Sequence, residues 1–169
     1  LTCAINPKLN KSITIPITCT NVKEEKQKTI NKLMEHALNA LRFEGKAKHP
    51  PDHIIIYRQG GNQVQNQKIL LEEVPMFVKY LNQLKEKNTN YKRMKLMYIC
   101  CNLKSDLKFF ETEKKNNYES SHTVYKNPTS GSCVDETVIK KDKFEFYIQP
   151  QFVNQGTATP CHYEVIYQE

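Results

Sequence analysis

The sequence has little of what marks several protein classes. It contains five glycines and eight prolines among 169 residues, which excludes a collagen-like chain and a Pro/Gly-rich low-complexity chain. No apolar run approaches the roughly 18–20 residues of a membrane-spanning helix. The N-terminal LTCAINPKLNKS has no basic region followed by an apolar core, as a secretory signal would. With 38% hydrophobic and 25% charged residues, the chain can form one domain with a sizeable core.

Cysteine is present, but not in a metal-binding arrangement. The six cysteines form no C-x-x-C pair, and no histidine lies at zinc-finger spacing. Cys100 and Cys101 are adjacent in an apolar run, where at least one side chain should pack as a small hydrophobe. Because the chain is long and has no secretory signal, we expect reduced thiols and a cytoplasmic or nuclear location.

The charge balance is basic but does not identify a partner. The net charge of +7 comes from 25 Lys and Arg against 18 Asp and Glu. Such a balance favours a polyanionic partner, namely nucleic acid or a membrane surface. The lysines are dispersed, however, and dispersed lysines are more often a solvated surface. Both interpretations therefore stay open on composition alone.

Hydrophobic periodicity predicts two helices. The first begins near Thr20 or Asn21, either of which can cap it, and ends at Gly45. Its apolar stripe, at spacings of three and four residues, consists of Ile30, Leu33, Met34, Ala37, Leu38 and Leu41. The second helix extends from about Gln65 to Lys87, and Pro75 within it predicts a kink or a break.

Short β-branched and apolar runs predict the strands. LTCAI and SITIPITCT form a pair joined by NPKLNK, and HIIIYR and MKLMYICC are strands buried on both faces. LKFFETE begins a shorter strand, KFEFYIQP alternates as a half-buried strand, and CHYEVIYQE closes the chain. The polar segment at about residues 112–132 is predicted to be a surface loop. This order indicates the α/β class, with a mixed sheet and helices packed on it.

The ends of these strands offer little for metal-dependent chemistry. In such sheets ligands lie outside the carboxyl ends of the strands, which points to RQGGN and CCNLKSD. Phosphodiester cleavage on a two-metal centre needs several converging carboxylates. Gln59 follows HIIIYR, and a neutral amide cannot compensate the charge of a divalent ion. Asp52, Asp106 and Asp135 lie near strand ends, but singly.

The histidines are weak candidates for catalysis or metal binding. Cys161 and His162 are neighbours in a strand and should point to opposite faces, which argues against a nucleophile–base pair. His49 and His53 flank a Pro-Pro-Asp segment and could bind a metal, although a solvated loop is the commoner outcome. The sequence contains neither a P-loop nor a G-x-G-x-x-G motif.

Two polar segments suit contacts to RNA. NLKSDLK carries Lys104 and Lys108 after a buried strand, and NQGTATP offers amides, hydroxyls and a glycine. Such groups contact phosphate oxygens and ribose 2′-hydroxyls, which positions RNA without reading its sequence. Polar turns between strands explain the same residues equally well.

Taken together, the residues resemble the PIWI domain of Argonaute/Piwi proteins. The resemblance runs through HIIIYRQGG, MKLMYICC, NPTSGSCVDETV and KFEFYIQPQFVNQGTATPCHYEVIYQE. In the last stretch the matching residues are Phe144, Phe146, Tyr147, Gln155, Gly156, Thr157, Pro160, His162, Tyr163 and Val165. An Asn-Pro…Gly…Val-Asp block matches through Asn127-Pro128, Gly131 and Val134-Asp135. The resemblance covers essentially the whole chain, more loosely before His53.

The resemblance implies an RNase H-like fold, a mixed β-sheet flanked by helices, and a role in small-RNA-guided silencing or RNA processing. It also implies that residues 1–169 form a single partial PIWI domain without the first and last catalytic segments, which fits a chain that begins with Leu. The implied partners are a guide RNA, a complementary target RNA and proteins of a silencing complex, with no membrane.

The family's catalytic positions are only partly matched. Family slicers carry Tyr-Arg-Asp-Gly at the third catalytic position, where this chain has Gln59. The resemblance therefore implies no efficient slicer activity and no cofactor, with Mg²⁺ only if slicing is retained. The family's mobile "glutamate finger" would fall on Gln27 or Lys28, with Glu24 and Glu25 nearby, so that role is not transferred.

The implied RNA-binding residues are Lys104, Lys108, Gln155, Thr157 and Thr159. Thr159 replaces a usual Arg, and fewer cations imply weaker or less salt-sensitive RNA binding. Two alternatives stay open. One is an active guide-directed RNA endonuclease in which another carboxylate replaces the third Asp. The other is a PIWI-derived scaffold in a protein complex that no longer binds RNA.

Overall fold

A computed structural model describes residues 1–6, 8–18, 23–117 and 120–169, with the side chains of 23–24, 114–117 and 120–122 outside the description. The chain divides into two compact units. The first unit comprises residues 1–54, 68–97 and 169, and the second comprises residues 55–67 and 98–168.

Nine strands and three α-helices are assigned in the described residues. In chain order they are β1 (Thr2–Ala4), β2 (Ser12–Thr14), α1 (Lys23–Phe43), β3 (His53–Gln59), α2 (Gln63–Lys68), α3 (Val74–Lys87), β4 (Lys95–Asn102), β5 (Glu111–Asn117), β6 (Ser120–Lys126), β7 (Cys133–Val134), β8 (Glu145–Ile148) and β9 (Cys161–Gln168). A π-helical turn (Ile69–Glu73) joins α2 to α3, and a 3₁₀ turn (Thr89–Tyr91) follows α3. No described helix combines the length and apolarity needed to span a membrane.

The N-terminal hairpin of the first unit is confirmed, but its second strand is shorter than predicted. β1 and β2 pair antiparallel, and the side chains of Ile5 and Ile15 beside them are buried. β2 ends at Thr14, two residues before Pro16, because proline has no N–H to donate to a strand ladder. The end of the predicted strand, Cys19 and Thr20, lies outside the described residues.

The apolar stripe of α1 is confirmed. Ile30, Met34 and Ala40 are buried, and the intervening apolar residues of the stripe are half-buried. The helix ends at Phe43, and Gly45 follows. A Cβ atom at Gly45 would lie 2.1 Å from the Ile5 carbonyl oxygen, so the close approach of the two backbones requires glycine. The predicted capping residues, Thr20 and Asn21, lie outside the described residues.

The break predicted at Pro75 is confirmed and takes the form of the π-helical turn. The Val74 N–H donates to the Ile69 carbonyl, five residues earlier. Pro75 then lies in the first turn of α3, where its missing N–H has no helical partner to lose. The wider turn also avoids the clash of a proline ring with the carbonyl four residues before it.

The main sheet has the strand order β3-β4-β9-β8-β7. Lys95 N donates to the Asp52 carbonyl and Gly60 N donates to the Cys101 carbonyl, so β3 and β4 are parallel. Glu169 N donates to the Leu96 carbonyl, which places the end of β9 beside the start of β4 and makes that pair antiparallel. The β9–β8 and β8–β7 pairs are also antiparallel. The sheet is therefore mixed, as predicted.

The two apolar runs of this sheet differ in burial. β4 is buried as predicted: Leu96, Tyr98, Ile99 and Cys100 are all at most 4% exposed. The prediction that β3 is buried on both faces is wrong, because Ile55 is 50% exposed and Tyr57 is 65% exposed. Among the described strands β3 has one neighbour, β4, whereas β4 lies between β3 and β9. A continuous apolar run does not distinguish these positions.

The prediction of a surface loop at about residues 112–132 is wrong for most of that segment, which forms two strands. β5 and β6 form an antiparallel hairpin from Glu111 opposite Lys126 to Asn117 opposite Ser120. Glu113 and Lys126 form an exposed ion pair. Polar composition does not prevent a two-stranded ladder, because an exposed hairpin needs no apolar face and its backbone groups pair with each other. Among the described residues of the predicted loop, 127–132 lie outside β5 and β6.

Candidate nucleic-acid interface

The carboxyl ends of β3 and β4 lie side by side, as their sequences predict. The Gly60 N–H donates to the Cys101 carbonyl over 2.8 Å. A Cβ atom at Gly60 would lie 3.0 Å from Cys100 Cβ and 2.8 Å from Asn66 Oδ1. Glycine is therefore required for this approach, and RQGGN and CCNLKSD form one edge of the second unit.

The segment after β4 turns twice through side-chain to backbone hydrogen bonds. Asn102 Oδ1 accepts from the Lys104 N–H, and Ser105 Oγ accepts from the Leu107 N–H, both over 3.1 Å. Such turns compete well with regular structure because Asn and Ser satisfy nearby backbone donors. The turns leave Lys104 and Lys108 exposed.

Lys108 contacts a second predicted RNA-binding residue directly. Its Nζ donates to Thr159 Oγ1 over 2.5 Å, which joins the 102–110 segment to the segment before β9. Thr159 is half-buried. Within the described part of the chain, no hydrogen bond or ion pair links Lys104 to the other four predicted residues. The structure thus brings Lys108 and Thr159 together and leaves Lys104 on the same segment without that contact.

The segment that carries Gln155 and Thr157 is organised by Asn127. Asn127 Nδ2 donates to the carbonyls of Gly156 (2.9 Å) and Val153 (3.3 Å), and Asn127 Oδ1 accepts from the Ala158 N–H (3.0 Å). Gly156 has φ of +82°, which favours glycine. Gln155 and Thr157 are exposed on this turn. Sequence reasoning matched Asn127 to the family but missed this role, although an Asn before Pro is a usual turn signal.

Gln59 bears on the loss of slicing predicted from the sequence, which stays a prediction. Gln59 is exposed at the end of β3. Among the described residues, no group of three or more His, Cys, Asp and Glu side chains is placed to hold a metal ion. Gln27, which with Lys28 is one of the two residues on which the family's glutamate finger would fall, donates to the Asn31 side chain (2.9 Å) and to the Met76 carbonyl (3.0 Å). Its amide is therefore fixed within the first unit.

A chain of hydrogen bonds that sequence reasoning missed supports the turn after β3. The Gly61 N–H donates to Asn66 Oδ1 (3.2 Å), and Asn66 Nδ2 donates to Glu164 Oε2 (2.7 Å). Glu164 Oε1 accepts from Lys143 Nζ. We call these three side chains the Asn66–Glu164–Lys143 triad. Asn66 is 7% exposed. Asn66 in α2, Lys143 before β8 and Glu164 in β9 are far apart in sequence and give no local signal for this contact.

The ionisation of the triad follows from its contacts. Burial would raise the pKa of the Glu164 carboxyl, but the hydrogen bonds from Lys143 and Asn66 outweigh burial and hold that pKa below its usual value. The hydrogen bond to Glu164 raises the pKa of the Lys143 ammonium, against the opposing effect of burial. The pair is therefore ionised at neutral pH.

A second polar cluster lies on the same face of β8 and β9. Glu145 is 5% exposed; its Oε2 lies 3.0 Å from His162 Nε2 and its Oε1 accepts from the Lys140 N–H over 2.8 Å. The His162 ring stacks on Tyr147 with centroids 4.6 Å apart. Burial raises the pKa of the Tyr147 hydroxyl, and the Glu145 charge adds to the increase. Cys161, the neighbour of His162 in the strand, is buried.

The alternation predicted for KFEFYIQP is confirmed, and its inner face combines one aromatic side chain with a carboxylate and an amide. Glu145, Tyr147 and Gln149 are buried, whereas Phe144 is 59% exposed. Phe146 stacks on Tyr163 across the strand pair, with centroids 5.0 Å apart. A carboxylate can take the inner position because His162 and the Lys140 N–H satisfy its oxygens.

The described cysteines are not joined to one another by disulfides. They are Cys3, Cys100, Cys101, Cys133 and Cys161, and Cys19 lies outside the described residues. Burial raises the pKa of the Cys101 thiol, and the nearby Cys161 adds to the increase. A thiol with a raised pKa holds little thiolate at neutral pH, which argues against a nucleophile at this position.

Comparison with known proteins agrees with the resemblance seen in the sequence. The family model described as "Piwi domain" matches residues 2–169. The Piwi-like protein Ago3 of Bombyx mori is 27% identical over 99% of this chain, which covers 17% of that protein. Protein argonaute-3 of Drosophila melanogaster is 30% identical over 69% of this chain and 11% of its own length. The chain thus spans less than a fifth of these curated relatives.

Solved structures share the fold. The C-terminal lobe of a budding yeast Argonaute matches with a TM-score of 0.64 and 21% identity, over 83% of this chain and 28% of that chain. Drosophila Piwi matches with a TM-score of 0.61 and 22% identity, and Kluyveromyces polysporus Argonaute, solved with a guide RNA, with 0.64 and 21%; each covers 83% of this chain and 17% of that one. The predicted RNase H-like class, a mixed sheet flanked by helices, is confirmed.

Proposed function

Because this chain belongs to the Piwi domain family, we propose that it is the part of a protein that holds a small guide RNA and acts in RNA-guided silencing or RNA processing, without cleaving the target. Its partners are the guide RNA, a complementary target RNA and other proteins of the silencing complex. A relative of the same fold was solved with a guide RNA, which supports this choice of ligand.

The observation that carries the proposal is the contact between Lys108 and Thr159. It joins an exposed lysine segment to the Asn127-organised turn that bears Gln155 and Thr157. Cation, amide and hydroxyl groups thereby lie on two neighbouring segments. These groups bind phosphate oxygens and ribose hydroxyls and do not read base edges. The same interface can therefore hold guides of different sequence.

The proposal that the protein does not cleave its target rests on Gln59, the last residue of β3. A metal-dependent nuclease needs carboxylates to bind two divalent ions and to offset their charge. Gln59 supplies a neutral amide at the position where family slicers carry Asp. The amide oxygen can contact an ion, but it brings no compensating charge.

The test is purification of the intact protein from its native cells, followed by sequencing of the nucleic acid that accompanies it. We expect a sharp population of short RNAs with a common 5′ feature. A preparation with no RNA, or with random fragments, would contradict guide binding and favour the scaffold alternative.

Cleavage is tested separately on the guide-loaded protein with a complementary target RNA in Mg²⁺ and in Mn²⁺. We expect no guide-directed product in either metal. Metal-dependent cleavage that Gln59→Ala abolishes would overturn this part of the proposal and establish the endonuclease alternative. Guide binding and slicing are thereby decided independently.

A further inference from the structure

A cavity of about 260 Å³ lies in the first unit, at the C-terminal end of α1. It is bounded by the end of α1, by the segment before β3 and by the 3₁₀ turn after α3. The proposed guide interface uses residues of the second unit alone. The cavity therefore belongs to a different part of the chain from that interface.

The lining of the cavity carries positive charge. Arg42 and Lys48 line it together with His49, and no acidic residue is among the described residues that do so. All three of these residues are exposed to solvent. Arg42 is also in the last turn of α1, where a cation offsets the partial negative charge of the helix end. An anionic group is the ligand that this lining favours.

The remaining lining residues are suited to a base and a sugar. Leu38, Leu41, Pro50 and Pro51 provide apolar surface, and Tyr91 adds an aromatic ring. Asn39, Asn88 and Asn90 add amides to the wall. Amide side chains both donate and accept hydrogen bonds, as base edges require, and aromatic rings provide stacking surface.

We propose that this cavity binds one phosphate-bearing nucleotide, with the phosphate at Arg42 and Lys48 and the base against Tyr91 and the amides. Pockets for drug-sized ligands measure about 300–1,000 Å³, so this cavity suits a single residue. A phosphorylated peptide side chain would use the cations but has no base edge to pair with the amides of Asn39 and Asn90, whereas the Asn88 amide oxygen already accepts from the Asn90 N–H. A free nucleotide and the terminal residue of an RNA offer the same chemistry.

The first experiment measures binding of the four ribonucleoside monophosphates to the intact protein by titration calorimetry. Arg42→Ala/Lys48→Ala should weaken binding by about tenfold or more, because each change removes a charge-assisted phosphate contact. Lys32→Ala/Lys79→Ala is the matched control, since it removes the same charge from exposed residues that do not line the cavity. An equal loss of nucleotide affinity in both variants, or no measurable nucleotide binding by the unaltered protein, would overturn the proposal.

A second readout locates the ligand without relying on folding of the variants. Photo-crosslinking with 8-azido-AMP, followed by peptide mapping, should label the segment around Tyr91 or His49. Labelling confined to segments that do not line the cavity would contradict the proposed nucleotide site. Inorganic phosphate should compete only weakly, and a phosphoserine peptide that binds more tightly than any nucleotide would replace the nucleotide with a protein partner.

A short RNA with a terminal phosphate distinguishes the two sources of the nucleotide. If the RNA binds more tightly than the monophosphate and Arg42→Ala/Lys48→Ala abolishes the difference, the ligand is an RNA end. If both bind equally, the ligand is a free nucleotide. Lys104→Ala/Lys108→Ala should leave monophosphate binding unchanged, so failure of the guide interface and failure of the cavity are separable.

Discussion

Asn66 and Glu164 are separated by 98 residues in sequence and joined by a hydrogen bond of 2.7 Å. The same Asn66 side chain accepts from the Gly61 N–H, and the same Glu164 carboxylate accepts from Lys143. The turn after β3 is therefore tied to β9 by side chains as well as by the sheet. This arrangement fixes the backbone of the turn at Gly61, two residues after Gln59.

Glu164→Gln should destabilise the protein by about 1–3 kcal/mol, because it leaves the Lys143 ammonium without its ionic partner in a partly buried position. The Lys143 side chain is 20% exposed and the Glu164 side chain is 12% exposed. Urea unfolding measures the difference. Asp142→Asn is the control, since Asp142 is exposed and adjacent in sequence to Lys143. Equal effects of the two substitutions would contradict the specific role of Glu164.

The triad also predicts how stability depends on pH. The pKa of Glu164 is lower in the folded state, so its contribution is present above the unfolded value near 4.5 and is lost as pH falls through the folded pKa. The pKa of Lys143 is higher in the folded state, so its contribution is present below about 10.5 and is lost as pH rises above the folded pKa.

The measurement is the unfolding free energy of the unaltered protein and of Glu164→Gln between pH 3 and pH 8. The gap between the two free energies should be constant from about pH 6 to pH 8 and should narrow as the pH falls below the unfolded pKa of Glu164, near 4.5. A gap that stays the same at pH 3 would show that the Glu164 charge contributes nothing to the folded state.

Asn127→Ala should loosen the turn that carries Gln155 and Thr157. The substitution removes three hydrogen bonds to the backbone of residues 153–158, and a net loss of about 1–3 kcal/mol is expected. Hydrogen exchange of amides 155–158 should accelerate. Asn154→Ala, at an exposed position of the same turn, should change little. Unaltered exchange in Asn127→Ala would mean that the turn is held by other contacts.

The sequence predicts the secondary-structure elements better than it predicts how far each element is buried. MKLMYICC and HIIIYR are both continuous apolar runs, but only the first is buried, because the number of strand neighbours differs and is not encoded locally. Pro75 predicted a break because a missing N–H acts within one turn. The β5–β6 hairpin was missed because a polar ladder shows no hydrophobic period.

The residues of the candidate site were proposed one by one from the sequence, whereas their arrangement was not. Lys108 and Thr159 were each identified from local chemistry and family resemblance, yet their contact spans 51 positions and appears only in the fold. The buried position of Glu145 also has no local signal, since its partner His162 is on another strand. Long-range satisfaction of polar groups overrides local pattern in both cases.

Lys104→Ala/Lys108→Ala should lower guide-RNA affinity and flatten its dependence on salt. Each lysine that neutralises a phosphate of single-stranded RNA contributes about 0.7 to the slope of log K against log salt. The double variant should therefore lose about 1.4 from that slope if both lysines contact the guide. Filter binding of a labelled short RNA at several KCl concentrations measures the slope.

Lys32→Ala/Lys79→Ala removes the same net charge from exposed positions outside the interface and should leave the slope unchanged. Thermal unfolding of both variants should match the unaltered protein, because Lys104 and Lys108 are exposed and hydrogen bonds of exposed side chains add little stability. A decrease of about 0.7 in the slope of log K against log salt would indicate that one of the two lysines contacts the RNA. Lys108 would be the expected one, since its ammonium is positioned by Thr159. A slope equal to that of the control would remove both lysines from the interface and leave Gln155 and Thr157 as its remaining exposed contacts.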